Sequence, residues 1–211
     1  MPLTKKNSFT LILIILHAVG LVGFIINPQF FKPLSFINLI ISILLILLAN
    51  EVIEGRLLKN LLIISIIGYL VEVIGVKTGF IFGEYTYGNS LGLKLLNVPL
   101  LIGANWAILL YSTAQLCFTK NMYLNAMIGA VLMVFLDYFM EQNAARFDFW
   151  YWKQAVIPIQ NFIAWFLISF ILNLFFQKEL MKSKNSVAKN FYYIQCLFFV
   201  ILYLVNFKQI I

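Results

Sequence analysis

Apolar residues run in seven long stretches, at roughly 8–26, 34–50, 60–76, 99–118, 122–141, 158–176 and 191–207, each closed by Pro, Gly, Asn or a charge. About twenty apolar residues in a helix suffice to cross a hydrocarbon core of about 30 Å. The pattern therefore predicts an all-α polytopic membrane protein of about seven transmembrane helices, forming a single domain over residues 1–211. The first stretch follows Lys5 and Lys6 but meets no small-residue cleavage site before Pro28, so it reads as a retained helix.

Polar and aromatic punctuation repeats within this pattern. Glu72 is followed at thirteen and fifteen residues by Tyr85 and Tyr87, then by Val98-Pro99-Leu100 and Trp106. Asp137 is followed at the same two spacings by Trp150 and Trp152, then by Ile157-Pro158-Ile159 and Trp165. Each unit is an apolar helix ending in an acid, an aromatic-x-aromatic loop, and a proline opening the next helix. Aromatic residues gather at membrane surfaces in any case, but a belt needs no fixed phase with an acid. The shared spacing of four features predicts an internal duplication over 60–118 and 122–176.

Composition adds a class and a ligand type. The chain is 63% hydrophobic and 11% charged, more apolar surface than a soluble domain of 211 residues can bury. Its 21 Phe exceed what spanning requires and point to a large apolar ligand. His17 is the only histidine, and Cys117 and Cys196 have no metal or redox spacing. The +7 charge is spread over helix ends, which reads as topology and not as a nucleic-acid surface. Lys5, Lys6, Arg56, Lys59, Lys120, Lys178, Lys182, Lys184 and Lys189 fall on one side, against Lys32, Lys77, Lys94, Arg146, Lys153 and Lys208 on the other. That bias places the amino terminus in the cytoplasm. With thirteen of 15 basic residues being Lys, the usage fits an AT-rich bacterial genome, and hence a bacterial inner membrane.

An acid at membrane depth costs about 3 kcal/mol on insertion scales and needs a reason. Gly68, Glu72 and Gly75 share a helical face, so a small-residue seam brings Glu72 against a neighbouring helix. Asp137 and Glu141 are four apart on another helix. Glu141 and Asp148 read as hydrated groups near the interface, Glu51 and Glu54 as local ion-pair partners of Arg56 and Lys59, and Glu179 as solvated. Pro99 and Pro158 suit a first helical turn, with Trp106 and Trp165 each seven residues on. Asn161 shares the Trp165 stripe, whereas Asn105, beside Trp106, points elsewhere.

Gly83-Glu84-Tyr85-Thr86-Tyr87, Val98-Pro99-Leu100 with Trp106, Leu136-Asp137, Trp150-Tyr151-Trp152, and Ile157-Pro158-Ile159-Gln160-Asn161-Phe162 with Trp165 resemble the membrane carotenoid-biosynthesis proteins. The resemblance covers roughly residues 68–170. This chain departs from the family pattern at Met140-Glu141-Gln142-Asn143, where an Asp-Pro is usual, and at Ala155 and Ala164, where glycine is common.

Characterised members hydrate the acyclic ends of carotenoids, so the resemblance implies a carotenoid hydratase, a hydro-lyase of isoprenoid metabolism. Such hydration adds a proton to the less substituted alkene carbon, forms a tertiary cation, and captures water. It calls for no metal or organic cofactor. For that reaction the two acids related by the duplication, Asp137 and Glu72, are the expected acid–base pair, with Glu84 as next candidate and the identity of the acid left open. Tyr85, Tyr87, Trp106, Trp150, Trp152, Asn161 and Trp165 would line the substrate, their ring faces shielding the cation. The expected partners are an acyclic carotenoid and membrane lipid, with no nucleic acid; association with other carotenoid enzymes is open. Cyclisation of the same end group is the nearest alternative, and the amides of Asn161, Gln160 and Asn105 favour water capture over it. A small proton-coupled transporter and a non-catalytic membrane subunit are the remaining alternatives.

Overall fold

The computed structural model describes residues 4–51, 54–117 and 119–207. Lys208, counted above for topology, lies outside them. The described residues form eight helices: α1 (Lys5–Ile26), α2 (Pro28–Phe31), α3 (Leu34–Leu48), α4 (Gly55–Thr78), α5 (Leu100–Ala114), α6 (Met122–Ala144), α7 (Ile159–Leu180) and α8 (Ser186–Phe207). Four very short strands accompany them: β1 (Tyr85–Tyr87), β2 (Lys94–Leu95), β3 (Val98–Pro99) and β4 (Trp150–Trp152).

Helices α1, α4, α6, α7 and α8 are long and apolar enough to cross a membrane. The other two apolar helices, α3 and α5, have 15 residues each, about 22 Å of rise against a core of about 30 Å. Helix α4 shows how such a sequence is sorted. Leu62, Ile66, Leu70 and Ile74 stay exposed at four-residue intervals, while Gly68, Glu72 and Gly75 are buried. Lipid rewards no apolar contact over another, so small and polar residues turn inward, where close packing and hydrogen bonds decide.

Helix ends obey local chemistry. Asn121 caps α6 by accepting the N–H groups of Tyr123 and Leu124, at 2.9 and 3.1 Å. Gly79 ends α4 at φ +64°, a conformation glycine adopts without a Cβ clash. Pro99 and Pro158 are the cap residues, one position earlier than expected: their extended backbones feed α5 and α7, which begin at the next residue.

The bundle is stapled at both ends. Tyr111, Asn50 and Ser183 hydrogen-bond mutually, Asn185 Nδ2 donates to the Ile46 carbonyl at 2.8 Å, and Gln115 Nε2 to that of Leu180 at 2.8 Å. The expected local ion pairs of the 51–59 segment are replaced by long-range ones. Glu51 meets Lys6 at 3.3 Å, and Arg56 meets Glu179 at 3.6 Å, while Glu179 also pairs with Lys182 at 2.7 Å instead of being merely solvated. Glu54 sits at the cap of α4 without a side-chain capping bond. At the opposite end of the helices, β1 and β4 pair antiparallel and roof the bundle.

Candidate functional site

The seam on α4 admits two large rings. A Cβ on Gly68 would lie 2.6 Å from Trp106 Cβ, and one on Gly75 would lie 2.6 Å from the Phe82 ring. Glycine at both places lets α5 and the 79–85 loop approach Glu72. The loop then returns Tyr85 and Tyr87, both inward-facing on β1. Their hydroxyls donate to Glu72 Oε2 at 2.5 and 2.8 Å, and Trp106 Nε1 donates to Oε1 at 2.9 Å. Burial, and then the Glu72 charge, push both phenols well above their ordinary value, so they remain donors.

The second helix–loop–helix unit builds a matching arrangement on a different acid. Trp150 and Trp152 donate their indole N–H groups to Glu141 Oε2 at 2.8 and 2.7 Å. Asn161 Nδ2 bridges two carboxyls, 3.0 Å from Asp137 Oδ2 and 3.0 Å from Glu141 Oε1. Asp137 Oδ1 is buried and has no hydrogen-bond partner. Glu72 and Glu141 thus each collect three donors, and Asp137 only one.

The two halves meet face to face. In the β1–β4 pair Tyr85 lies opposite Trp152 and Tyr87 opposite Trp150. Trp106 stacks on Trp165 with centroids 4.0 Å apart. Between them is a cavity of about 20 Å³ lined by all three acids, room for about one water. None of its lining residues is basic.

Of the ten residues singled out from sequence, nine line this cavity: Glu72, Asp137, Tyr85, Tyr87, Trp106, Trp150, Trp152, Asn161 and Trp165. Glu84 does not. It is exposed on the outer side of β1 and pairs with Lys153 at 2.7 Å. Gln160 is also outside, bonded to the Phe80 carbonyl. Glu141, expected as a hydrated group near the interface, is instead buried at the centre, because the Trp150, Trp152 and Asn161 N–H groups replace its water. Asn105, expected to point away from Trp106, lines the same cavity as Trp106, as its expected part in water capture requires. The four-residue spacing from Asp137 was the one signal that could have placed Glu141 inside.

A larger apolar groove of about 240 Å³ runs between α1, α3, α5 and α8. It shares Ile102, Asn105, Met140 and Trp150 with the acid-lined cavity, so its inner end abuts the acids. Among the described residues no three His, Cys, Asp or Glu side chains are grouped to hold a metal ion.

A protein-family model described as carotenoid biosynthesis protein matches residues 31–211. A bisanhydrobacterioruberin hydratase from Haloarcula japonica is 25% identical over 193 residues, which cover 81% of this chain and 64% of that protein. The chain therefore spans less than two thirds of that relative's length. No solved structure matches it.

Proposed function

The chain belongs to the carotenoid biosynthesis protein family, and from that premise we propose that it hydrates the terminal alkene of an acyclic carotenoid without a cofactor. The observation that carries this reading is Asp137 Oδ1, an unpartnered carboxyl oxygen in a one-water cavity at the inner end of an apolar groove.

Asp137 is the acid. Its Oδ1 is the carboxyl oxygen of the cluster that can carry a proton without displacing a donor. Transfer of that proton to the less substituted alkene carbon leaves a tertiary cation and a carboxylate. Glu72 and Glu141, each held by three donors, present carboxyl oxygens that stabilise the cation from fixed positions, with no reorganisation at the moment of reaction. The ring faces of Trp150 and Tyr87 add to this. Water then forms the C–O bond and returns a proton to Asp137. The sum is alkene plus water giving a tertiary alcohol, with the acid regenerated.

The groove is small for a whole carotenoid, since drug-sized pockets run about 300–1,000 Å³. It holds the reacting end, and the remaining polyene lies among lipid. In this reading α3 and α5 complete a seven-span bundle in a bacterial inner membrane, with the amino terminus cytoplasmic. The crosswise register of β1 and β4 and the Trp106–Trp165 stack support a duplicated unit, because a local two-fold axis brings equivalent aromatics together in this way.

The test is product mass in lycopene-accumulating cells expressing the chain, beside Asp137→Asn at equal protein level. Gain of one water, lost in the variant, is the expected outcome. A new product of unchanged mass would establish cyclisation in its place.

A further inference from the structure

The attacking water needs a holder. Most polar groups around the acid-lined cavity are already committed: the hydroxyls of Tyr85 and Tyr87 and the Trp106 N–H to Glu72, the Trp150 and Trp152 N–H groups to Glu141, and Asn161 Nδ2 to Asp137 and Glu141. Among the described residues four lining groups have no such bond: Asp137 Oδ1, Asn161 Oδ1, the Trp165 N–H and the side chain of Asn105. Asn105 alone of these also lines the apolar groove. It stands on α5 with Ile102 and Leu109, three residues before and four after, both of which line the groove too. It is therefore the polar position of that α5 face, and it sits where groove and cavity meet.

We propose that Asn105 holds the attacking water and so decides that the cation ends as an alcohol, an inference that rests on the hydration reading above. A water donating its two protons to Asn105 Oδ1 and to the Asp137 carboxylate keeps its lone pairs free. One of them faces the cation at the groove's inner end. When the C–O bond forms, the proton on the Asp137 side passes to that carboxylate. Without Asn105 the water has one anchor fewer, and a buried water ordinarily needs two or more. The cation then takes its other exit: a neighbouring C–H bond breaks, its electrons restore the alkene, and the proton returns to Asp137. That exit leaves no change in mass in ordinary water. In D₂O it leaves deuterium in the recovered alkene.

The experiment is incubation of membranes containing the wild-type chain, Asn105→Leu or Asn105→Ala with lycopene in D₂O, measuring the ratio of alcohol to deuterated alkene. Both products come from one folded population, so the ratio does not depend on how much variant folds. The expected result is a fall in that ratio of about 100-fold, the order of loss when a reactant is held out of place, with deuterium exchange persisting. An unchanged ratio in the leucine or alanine variant overturns the role of Asn105 while hydration stands. A wild-type chain that forms no alcohol overturns the hydration reading and this inference with it.

Discussion

Trp106 and Trp165 stack with centroids 4.0 Å apart and planes 15° from parallel, yet only Trp106 donates its indole N–H to an acid, Glu72 at 2.9 Å. Two residues at equivalent places in the repeated pattern thus share a packing role and differ in a polar one. The contrast separates what the stack contributes from what the hydrogen bond contributes.

Trp106→Phe keeps an aromatic ring in the stack and removes a donor to a buried carboxylate. A hydrogen bond to a charged group is worth about 2 kcal/mol, so the variant should unfold at lower temperature in detergent and lose turnover. Trp165→Phe leaves Glu72 fully bonded and should cost clearly less on both measures. Equal losses in the two variants would show that the stack, and not the Glu72 bond, is what matters.

Much of this arrangement was legible in the sequence. The apolar stretches mark the helices because lipid-facing positions tolerate only apolar residues, and the acid-to-aromatic spacing marks the site because the loop returns its rings onto the helix it left. Glu84 was misplaced for a reason also present in the sequence. Side chains alternate along a strand, and with Tyr85 and Tyr87 inward, Glu84 falls on the outer side with exposed Thr86. Glu141 was hidden because the second unit uses tryptophans, whose N–H groups reach an acid one helical turn beyond Asp137. The amide of Asn105 was legible as a group favouring water capture, but its place at the groove was not, because that groove is walled by α1, α3 and α8, which are remote in sequence.

The exchange of Glu84 for Glu141 within the site is directly checkable. Glu84→Gln removes one exposed ion pair with Lys153, an interaction typically worth about 0–1 kcal/mol, and should leave product formation near wild type. Glu141→Gln places an amide where two indole N–H groups and the Asn161 amide all donate. At least one donor must then face another donor, at a cost of about 1–3 kcal/mol. Product per folded protein should fall sharply in this variant alone.

The loop carboxyl Asp148 predicts a pH effect outside the membrane. Partial burial raises its pKa, but the Asn89 N–H at 2.9 Å, the Tyr151 and Ser90 hydroxyls and the Lys32 charge outweigh this and hold it below its ordinary value of 3.8. A depressed folded-state pKa stabilises the fold above the unfolded value, and that contribution disappears as pH falls through the folded value. Wild type should therefore exceed Asp148→Asn in thermal stability by a constant margin from neutral pH down to about 4. Below that the margin should shrink. A margin that grows with acidification would contradict the assignment.

Ala155 offers a gain of stability. It closes the turn after β4, its N–H donating to the Trp152 carbonyl at 3.1 Å, with φ at +54°. In that left-handed region the Cβ crowds the following carbonyl, at a cost of about 1–2 kcal/mol that glycine avoids. The greater unfolded-state freedom of glycine offsets part of this. The position is also one where this chain carries alanine in place of the glycine usual in the family pattern. Ala155→Gly should raise the stability by about 1 kcal/mol, or roughly 2–4 °C in Tm for a chain of this size. It should leave product formation unchanged, because Ala155 lines neither the acid cavity nor the groove. A lower Tm would mean that the unfolded-state entropy of glycine outweighs the relief of the left-handed turn.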